Sequence, residues 1–306
     1  MDVLPEVNVI IVIGVVINLI VFIFAILLII VNIKKENNTN PSVNLIMNYE
    51  LNIAFILHSF SFFIVYPENS IAFICNVQAI ISVSSLIIII SIVASMSAIA
   101  YQNFTHPGKV EKYRNFVLCL HFLYSWILPV GMTLFFLFVE NPYTNNYLYY
   151  CWINDNKRIL TYIFYGYYLV SFLFFVVSML MLRYVVNKFL NEFGKKEEYQ
   201  IFIDRLKYYY FAIIATVIVC CYNLFDAGRT SNEANAKYDI FTIIAFITET
   251  LLIPIYLVSF AFNAKKIEYL KEFIFCAVKE EAEEKKQLTE IADANESGDN
   301  LNITIY

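Results

Sequence analysis

Polar and charged positions along this chain gather into short clusters, and long apolar runs lie between them. A membrane-crossing α-helix needs about 20 mostly apolar residues, because about 30 Å of hydrocarbon is spanned at about 1.5 Å per residue. Runs of this kind occupy residues 9–33, 42–66, 71–100, 116–139, 159–186, 208–225 and 240–262, the sixth being the shortest. The breaks between them, at 34–41, 67–70, 105–114, 140–157, 187–207 and 226–239, hold most of the turn and charge signals. The pattern predicts an all-α membrane protein, a seven-transmembrane helix bundle over residues 1–263. The first run is too long for the apolar region of a cleaved leader and follows Asp2 and Glu6 rather than a basic segment, so it is read as a helix that stays.

Beyond the seventh run the period changes. Ile267, Leu270, Ile274 and Ala277 fall near one helical face, with Lys265, Lys266 and Lys271 around them. That spacing predicts a short amphipathic eighth helix over residues 264–278, lying on the membrane surface with its lysines at the lipid headgroups. From Lys279 onward the chain carries 8 acidic and 3 basic residues, which accounts for the whole formal charge of −5. Low hydrophobicity and clustered charge make residues 279–306 an acidic, disordered cytoplasmic tail.

Composition agrees with the runs. Apolar residues make up 60% of the 306 and charged residues 15%, and mean hydropathy is +0.64. A soluble domain carries about 45–50% and about 25% respectively, so a soluble protein is excluded. Orientation follows from the distribution of Lys and Arg. With the N-terminus outside, 17 of the 21 fall on the cytoplasmic side, including Lys34, Lys35, Lys109, Lys112 and Arg114; the 4 outside are Lys157, Arg158, Arg229 and Lys237. The N-x-S/T sequons at Asn37, Asn103, Asn295 and Asn302 pull the other way, but in so Asn-rich a chain the charge distribution is the stronger signal. The expected location is the plasma membrane, multi-pass, with the C-terminus cytoplasmic.

Of the six cysteines, Cys75 at the outer mouth of the third run and Cys151 in the loop before the fifth both face an oxidising compartment. A disulfide there would tie the loop over the bundle; the alternative is two unpaired thiols at helix mouths. Cys119, Cys220 and Cys221 lie within apolar runs and read as packing residues. Cys276, at the end of the amphipathic stretch, is a palmitoylation candidate or an inert thiol. Ionisable residues inside the bilayer cost several kcal/mol unless paired, and they mark a functional interior. Glu50, His58, His121 and Glu249 are of this kind. Glu50 and His58 recur on one face of the second helix, and His58 and Glu249 lie at similar depth. They either meet or are satisfied separately. Pro129 and Pro254 each remove a helical N–H and are hinge candidates.

Several short motifs carry a resemblance. The sequence Cys151-Trp152-Ile153 follows a cysteine at the top of the third helix, Glu111-Lys112-Tyr113 precedes the fourth, Leu128-Pro129 lies within it and Phe164-Tyr165-Gly166 in the fifth. Together they resemble the cyclic-AMP-receptor-like family of G-protein-coupled receptors from protists, with the secretin-like branch, which shares the Cys-Trp pair, as second choice. The resemblance covers roughly residues 107–166. The rhodopsin-like marks are missing: the third helix ends Ala100-Tyr101-Gln102-Asn103 and the seventh reads Ile253-Pro254-Ile255-Tyr256.

The resemblance implies a cell-surface receptor that senses a small extracellular molecule and signals to a heterotrimeric G protein. With about eight residues before the first run, the ligand is expected inside the bundle, beneath the loop at Cys151-Trp152. Trp152 would line that roof or anchor at the bilayer interface. For an anionic ligand, as the family suggests, Lys157, Arg158 and Arg229 are candidate phosphate partners or ordinary headgroup anchors. Residues 187–207 mix lysines with Phe189, Leu190, Phe193 and Ile201, either a G-protein contact or a plain positive-inside loop.

The alternative function class is a seven-helix transporter or channel for a small solute. Against it stand the lack of an inverted repeat and of paired broken helices. An enzyme is not expected: only His58 and His121 lie in helices, too few for a zinc hydrolase, and no Gly-x-Ser occurs. No cofactor, metal or nucleic-acid partner is expected; the membrane lipids are.

Overall fold

The computed structural model describes residues 5–35, 41–64, 72–138, 143–147, 150–153 and 158–193, together with 214, 247 and 250–258. The described chain is mostly helical. Helices α1 (Pro5–Lys35), α2 (Val43–Ser61) and α3 (Ala72–Thr105) are followed by a single turn, α4 (Lys109–Lys112). The next span runs through α5 (Arg114–Phe122), a π-helical turn (Leu123–Ile127) and α6 (Leu128–Phe136). A hairpin of β1 (Tyr143–Tyr147) and β2 (Tyr150–Ile153) leads into α7 (Arg158–Phe193).

Four of these segments, Val12–Ile33, Phe73–Thr105, Arg114–Phe136 and Tyr162–Lys188, are long and apolar enough to cross a membrane, which marks a membrane protein. Helix α2 matches the second predicted run, but Asn44, Asn48, Glu50, Asn52 and His58 dilute its apolar character. The sixth run, at 208–225, apart from Ile214, and most of the seventh, at 240–262, lie outside the described residues, as do the amphipathic stretch and the acidic tail. The expected count of seven therefore extends beyond what is described.

Helix α3 is the axis of the bundle. It packs on α2, α6, α7 and the hairpin, while α1 packs on α2 from outside. In the most apolar stretch of α3, 83% of the residues are buried, against 28% in α1. The sequence shows why. Leu86 to Ile90 are five consecutive aliphatic residues, all buried, and a helix apolar on every side must have neighbours on every side. Such a β-branched run favours strands in water. In hydrocarbon, only a helix or a closed barrel satisfies the backbone, and α3 is a helix. Three of its buried serines bond to carbonyls of their own turn: Ser82 to Ala79 (3.2 Å), Ser85 to Ser82 (3.0 Å) and Ser97 to Val93 (2.9 Å). With hydroxyls so satisfied, small side chains let neighbouring helices approach closely.

The outward faces are apolar. Val12, Val16 and Ile23 on α1, Phe116, Leu120 and Phe135 along α5 and α6, and Leu169, Val170 and Leu173 on α7 are all exposed. An apolar belt of this extent is what lipid tails would cover.

Three features differ from the sequence-based expectation. The fourth span is not one regular helix, because Leu128 donates to the carbonyl of Leu123, five residues back, just before Pro129. The segment between third and fourth spans is structured: a turn over His106-Pro107-Gly108-Lys109 closes with Lys109 N–H to His106 C=O at 3.2 Å. Gly108 adopts φ 78° there, the position after proline in a type II turn that glycine fills without strain. The loop before α7 contains antiparallel strands, so the chain is not purely α.

Glu111, part of the motif before the fourth helix, has a structural role. Its Oε1 accepts the N–H of Val43 at 3.1 Å, at the start of α2, beside the cap that Ser42 Oγ makes to Leu45 N–H. A carboxylate at a helix N-terminus satisfies an orphan donor and opposes the helix dipole. Glu111→Ala is expected to cost about 1 kcal/mol, read as a small drop in melting temperature of the detergent-purified chain. Glu111→Gln should recover part of that loss. Equal stability of Glu111→Ala and the parent would remove this role.

Candidate functional site

Two polar constellations stand out, one at the hairpin end of the bundle and one where α2 meets the fourth span. At the hairpin end, Cys75 sits in the first turn of α3 and Cys151 in β2; they form a disulfide with Cα atoms 5.4 Å apart, within the ordinary range. Register pairs Tyr143 with Ile153, Thr144 with Trp152 and Asn145 with Cys151, and shifts between Asn145 and Tyr147. Gln78, one turn below Cys75, completes the tie. Its Oε1 accepts the Cys151 N–H at 3.1 Å and its Nε2 donates to the Ser61 carbonyl at 3.2 Å. One buried amide thus joins the end of α2, the start of α3 and the hairpin.

Trp152 is located by its backbone, opposite Thr144, and its side chain lies outside the described residues. Arg158 opens α7, its side chain likewise outside. Lys157, Arg229, Glu249 and Cys276 lie outside the described residues altogether. Pro254 falls within the helical stretch at 250–256.

Below the hairpin, His58 of α2 is buried at 3% exposure. One ring nitrogen, Nδ1, lies 3.1 Å from Ser85 Oγ on α3, and the Phe62 ring meets the imidazole edge-on at 5.5 Å. His58 Nε2 has no partner among the described residues.

The second constellation surrounds Glu50, two turns along α2. Its Oε2 lies 2.6 Å from His121 Nε2 and accepts the Trp126 indole N–H at 3.1 Å. The other ring nitrogen of His121, Nδ1, is 3.2 Å from Ser125 Oγ. Although Glu50 and His58 lie on one helix at a four-residue repeat, they serve different neighbours: Glu50 engages the fourth span and His58 engages α3. His121 and Trp126 can both reach one carboxylate because the π turn widens the helix between them. The same turn directs Tyr124 toward α7, where its hydroxyl donates to Ser171 Oγ at 2.7 Å, while Tyr167 donates to the Tyr124 carbonyl at 2.7 Å. Pro129, buried, follows immediately and supplies no N–H to the carbonyl of Ser125.

Sequence reasoning named Glu50 and His121 separately as intramembrane ionisable residues without pairing them. It passed over Gln78, Trp126, Tyr124 and Ser171. Trp126, three residues before Pro129 in an otherwise apolar run, was the legible signal, since a buried indole needs an acceptor. Cys119, expected to pack, is exposed on α5; it faces outward beside Leu120 because the core-facing position of that turn belongs to His121. Among the described residues no three His, Cys, Asp or Glu side chains converge as a metal site. In comparison with known proteins, the chain matches no family model and no curated protein.

Proposed function

We propose that this chain is a cell-surface receptor of the G-protein-coupled kind. In this reading it completes seven spans, keeps its hairpin end outside the plasma membrane and signals to a heterotrimeric G protein at the opposite end. The observation that carries the reading is the tie between the top of α3 and the loop before α7, made by Cys75–Cys151 and reinforced by Gln78. A hairpin held on the most central helix roofs the bundle and couples whatever lies beneath it to α3. The motifs resembling the cyclic-AMP-receptor-like family, and the Lys/Arg bias that puts this end outside, point the same way. A ligand bound there acts only if it favours one arrangement of the helices over another. The π turn at Leu123–Ile127 and Pro129 are the proposed place where the fourth span yields.

The test is nucleotide exchange. The chain is reconstituted with heterotrimeric G proteins and offered cyclic nucleotides and other small anionic metabolites. At least one compound is expected to accelerate GTP-analogue uptake on the G protein, and added GTP analogue to weaken that compound's binding. Saturable binding of a compound that is indifferent to GTP analogues, coupled to its movement across the membrane, would overturn the reading in favour of transport.

If the agonist is anionic, Arg158 and Arg229 are the proposed partners. Arg158→Gln and Arg229→Gln, at matched surface expression, should each weaken binding by about 1.5–3 kcal/mol, moving the dose-response curve about tenfold or more. Unchanged potency in both would take these arginines out of the site.

A further inference from the structure

At the end of the bundle away from the hairpin lies a cleft of about 720 Å³, between the last turns of α3 and the fourth span, with Phe174 of α7 among its lining residues. That volume suits a lipid- or drug-sized molecule. Its mouth holds Tyr101, Gln102, Thr105, His106, Lys109 and Tyr113, and its inner walls include Ala98, Phe116, Val117 and Leu120.

Three observations define what fits. First, the cleft opens sideways through the apolar belt, since Phe116 is 66% exposed and Leu120 50% exposed along its edge. A molecule dissolved among lipid tails reaches it directly. Second, its length matches one leaflet. From Thr105 to Ser95 on α3, ten residues cover about 15 Å at about 1.5 Å each, half the thickness of a hydrocarbon core of about 30 Å. Third, polarity is graded. The polar groups at the inner end are already engaged, His121 by Glu50 and Ser125 and Tyr124 by Ser171, so they offer ring surface rather than hydrogen bonds. At the mouth, Thr105 Oγ1 donates to its own helix at Tyr101 O (3.0 Å) and lies 3.0 Å from His106 Nδ1. Lys109 makes no ion pair among the described residues. Nearby Lys112 is held over the Tyr113 ring at 5.6 Å, which leaves Lys109 as the cation that lines the opening.

We propose that this cleft binds an anionic phospholipid, its headgroup at Lys109 and His106 and one acyl chain laid along Phe116, Val117 and Leu120 toward Phe174. Binding itself is independent of the receptor reading. Only the leaflet rests on that reading, which puts this end on the cytoplasmic side, where anionic lipids are concentrated.

The experiment uses the full chain purified from nanodiscs of equal phosphatidylserine and phosphatidylcholine, with co-purified lipid counted by native mass spectrometry. No G protein or agonist enters, so failure here is separate from failure of the receptor reading. The parent chain is expected to retain phosphatidylserine about tenfold over phosphatidylcholine. Lys109→Gln should bring that preference to about threefold or less, and Lys109→Arg should restore it. Arg114→Gln, a charge change on the same rim but outside the cleft, should leave the preference unchanged. Ala98→Phe, which fills the inner wall, should remove retained lipid of both kinds; variants are compared only when monodisperse with the Cys75–Cys151 bridge intact. The proposal falls if the parent shows no preference, if it retains an added sterol in place of phosphatidylserine, or if a folded Ala98→Phe chain retains lipid like the parent. It falls equally if Arg114→Gln matches Lys109→Gln, since the effect would then be general surface attraction.

Discussion

Cys75→Ser and Cys151→Ser are each expected to destabilise the chain by about 2–4 kcal/mol, and the double variant by no more than either alone. The bridge joins residues 76 positions apart. Chain closure over that separation would be worth about 4–5 kcal/mol for a chain unfolding in water. The value is smaller here because spans that remain inserted in the membrane keep the two ends near each other even after packing is lost. A second loss accompanies it: once the hairpin detaches, Gln78 Oε1 loses the Cys151 N–H, its described partner on the hairpin. The checks are the melting temperature of detergent-purified protein and the fraction reaching the cell surface. One cross-link is removed in all three variants, so unequal single effects, or a double variant much worse than both, would contradict the bridge. Full alkylation of Cys75 and Cys151 in unreduced protein would do so directly.

The largest single loss is expected at Glu50. Glu50→Ala removes the acceptor shared by His121 and Trp126. Removing one side of a largely buried hydrogen-bonded pair costs about 3–5 kcal/mol at most, because stranded donors in a low-dielectric interior recover little solvation. Glu50→Gln should lose roughly half as much, since one amide oxygen can still accept from one of the two donors. In a double-mutant cycle, His121→Phe on the Glu50→Ala background should cost far less than His121→Phe alone, the two residues forming one network. Additive losses measured by thermal or detergent-induced unfolding would show that the carboxylate and imidazole act independently. Glu50 lies in the region where α2 meets the fourth span, so the same variants report on how firmly those two are held. Under the receptor reading, a folded Glu50→Gln chain would show altered basal activity, measured without agonist.

Particular residues show how far the sequence could be read. The first five apolar runs were legible as helical segments, four of them long and apolar enough to cross a membrane, because hydrocarbon leaves a chain segment few choices other than helix. Their ends were less legible. The third span continues to Thr105 and the helix after the hairpin to Phe193, past the ends of the predicted runs at 100 and 186, since helical hydrogen bonding does not stop where lipid does. The disulfide was legible from two cysteines placed at the same membrane face. Glu50, His58 and His121 stood out as polar residues within mostly apolar runs from their surroundings alone. Their partners were not. Periodicity assigns a residue to a face of its own helix and says nothing of which neighbour that face meets.

The sequence by itself determined that this is a helical membrane protein and which side chains must find partners inside it, because both follow from the cost of leaving polar groups in hydrocarbon. Tertiary structure decided the partnerships. A π turn before Pro129 brings Trp126 and His121 onto one carboxylate and turns Tyr124 to Ser171, and this depends on a local change of helical pitch that no apolar pattern encodes. Gln78, a single amide in a mostly apolar helix, becomes a clamp only because α2 ends and the hairpin folds within its reach. The cleft at Lys109 lies between the end of α3 and α5, on either side of the turn at Gly108. Each of these rests on distances between segments far apart in the chain, which packing sets and sequence spacing does not.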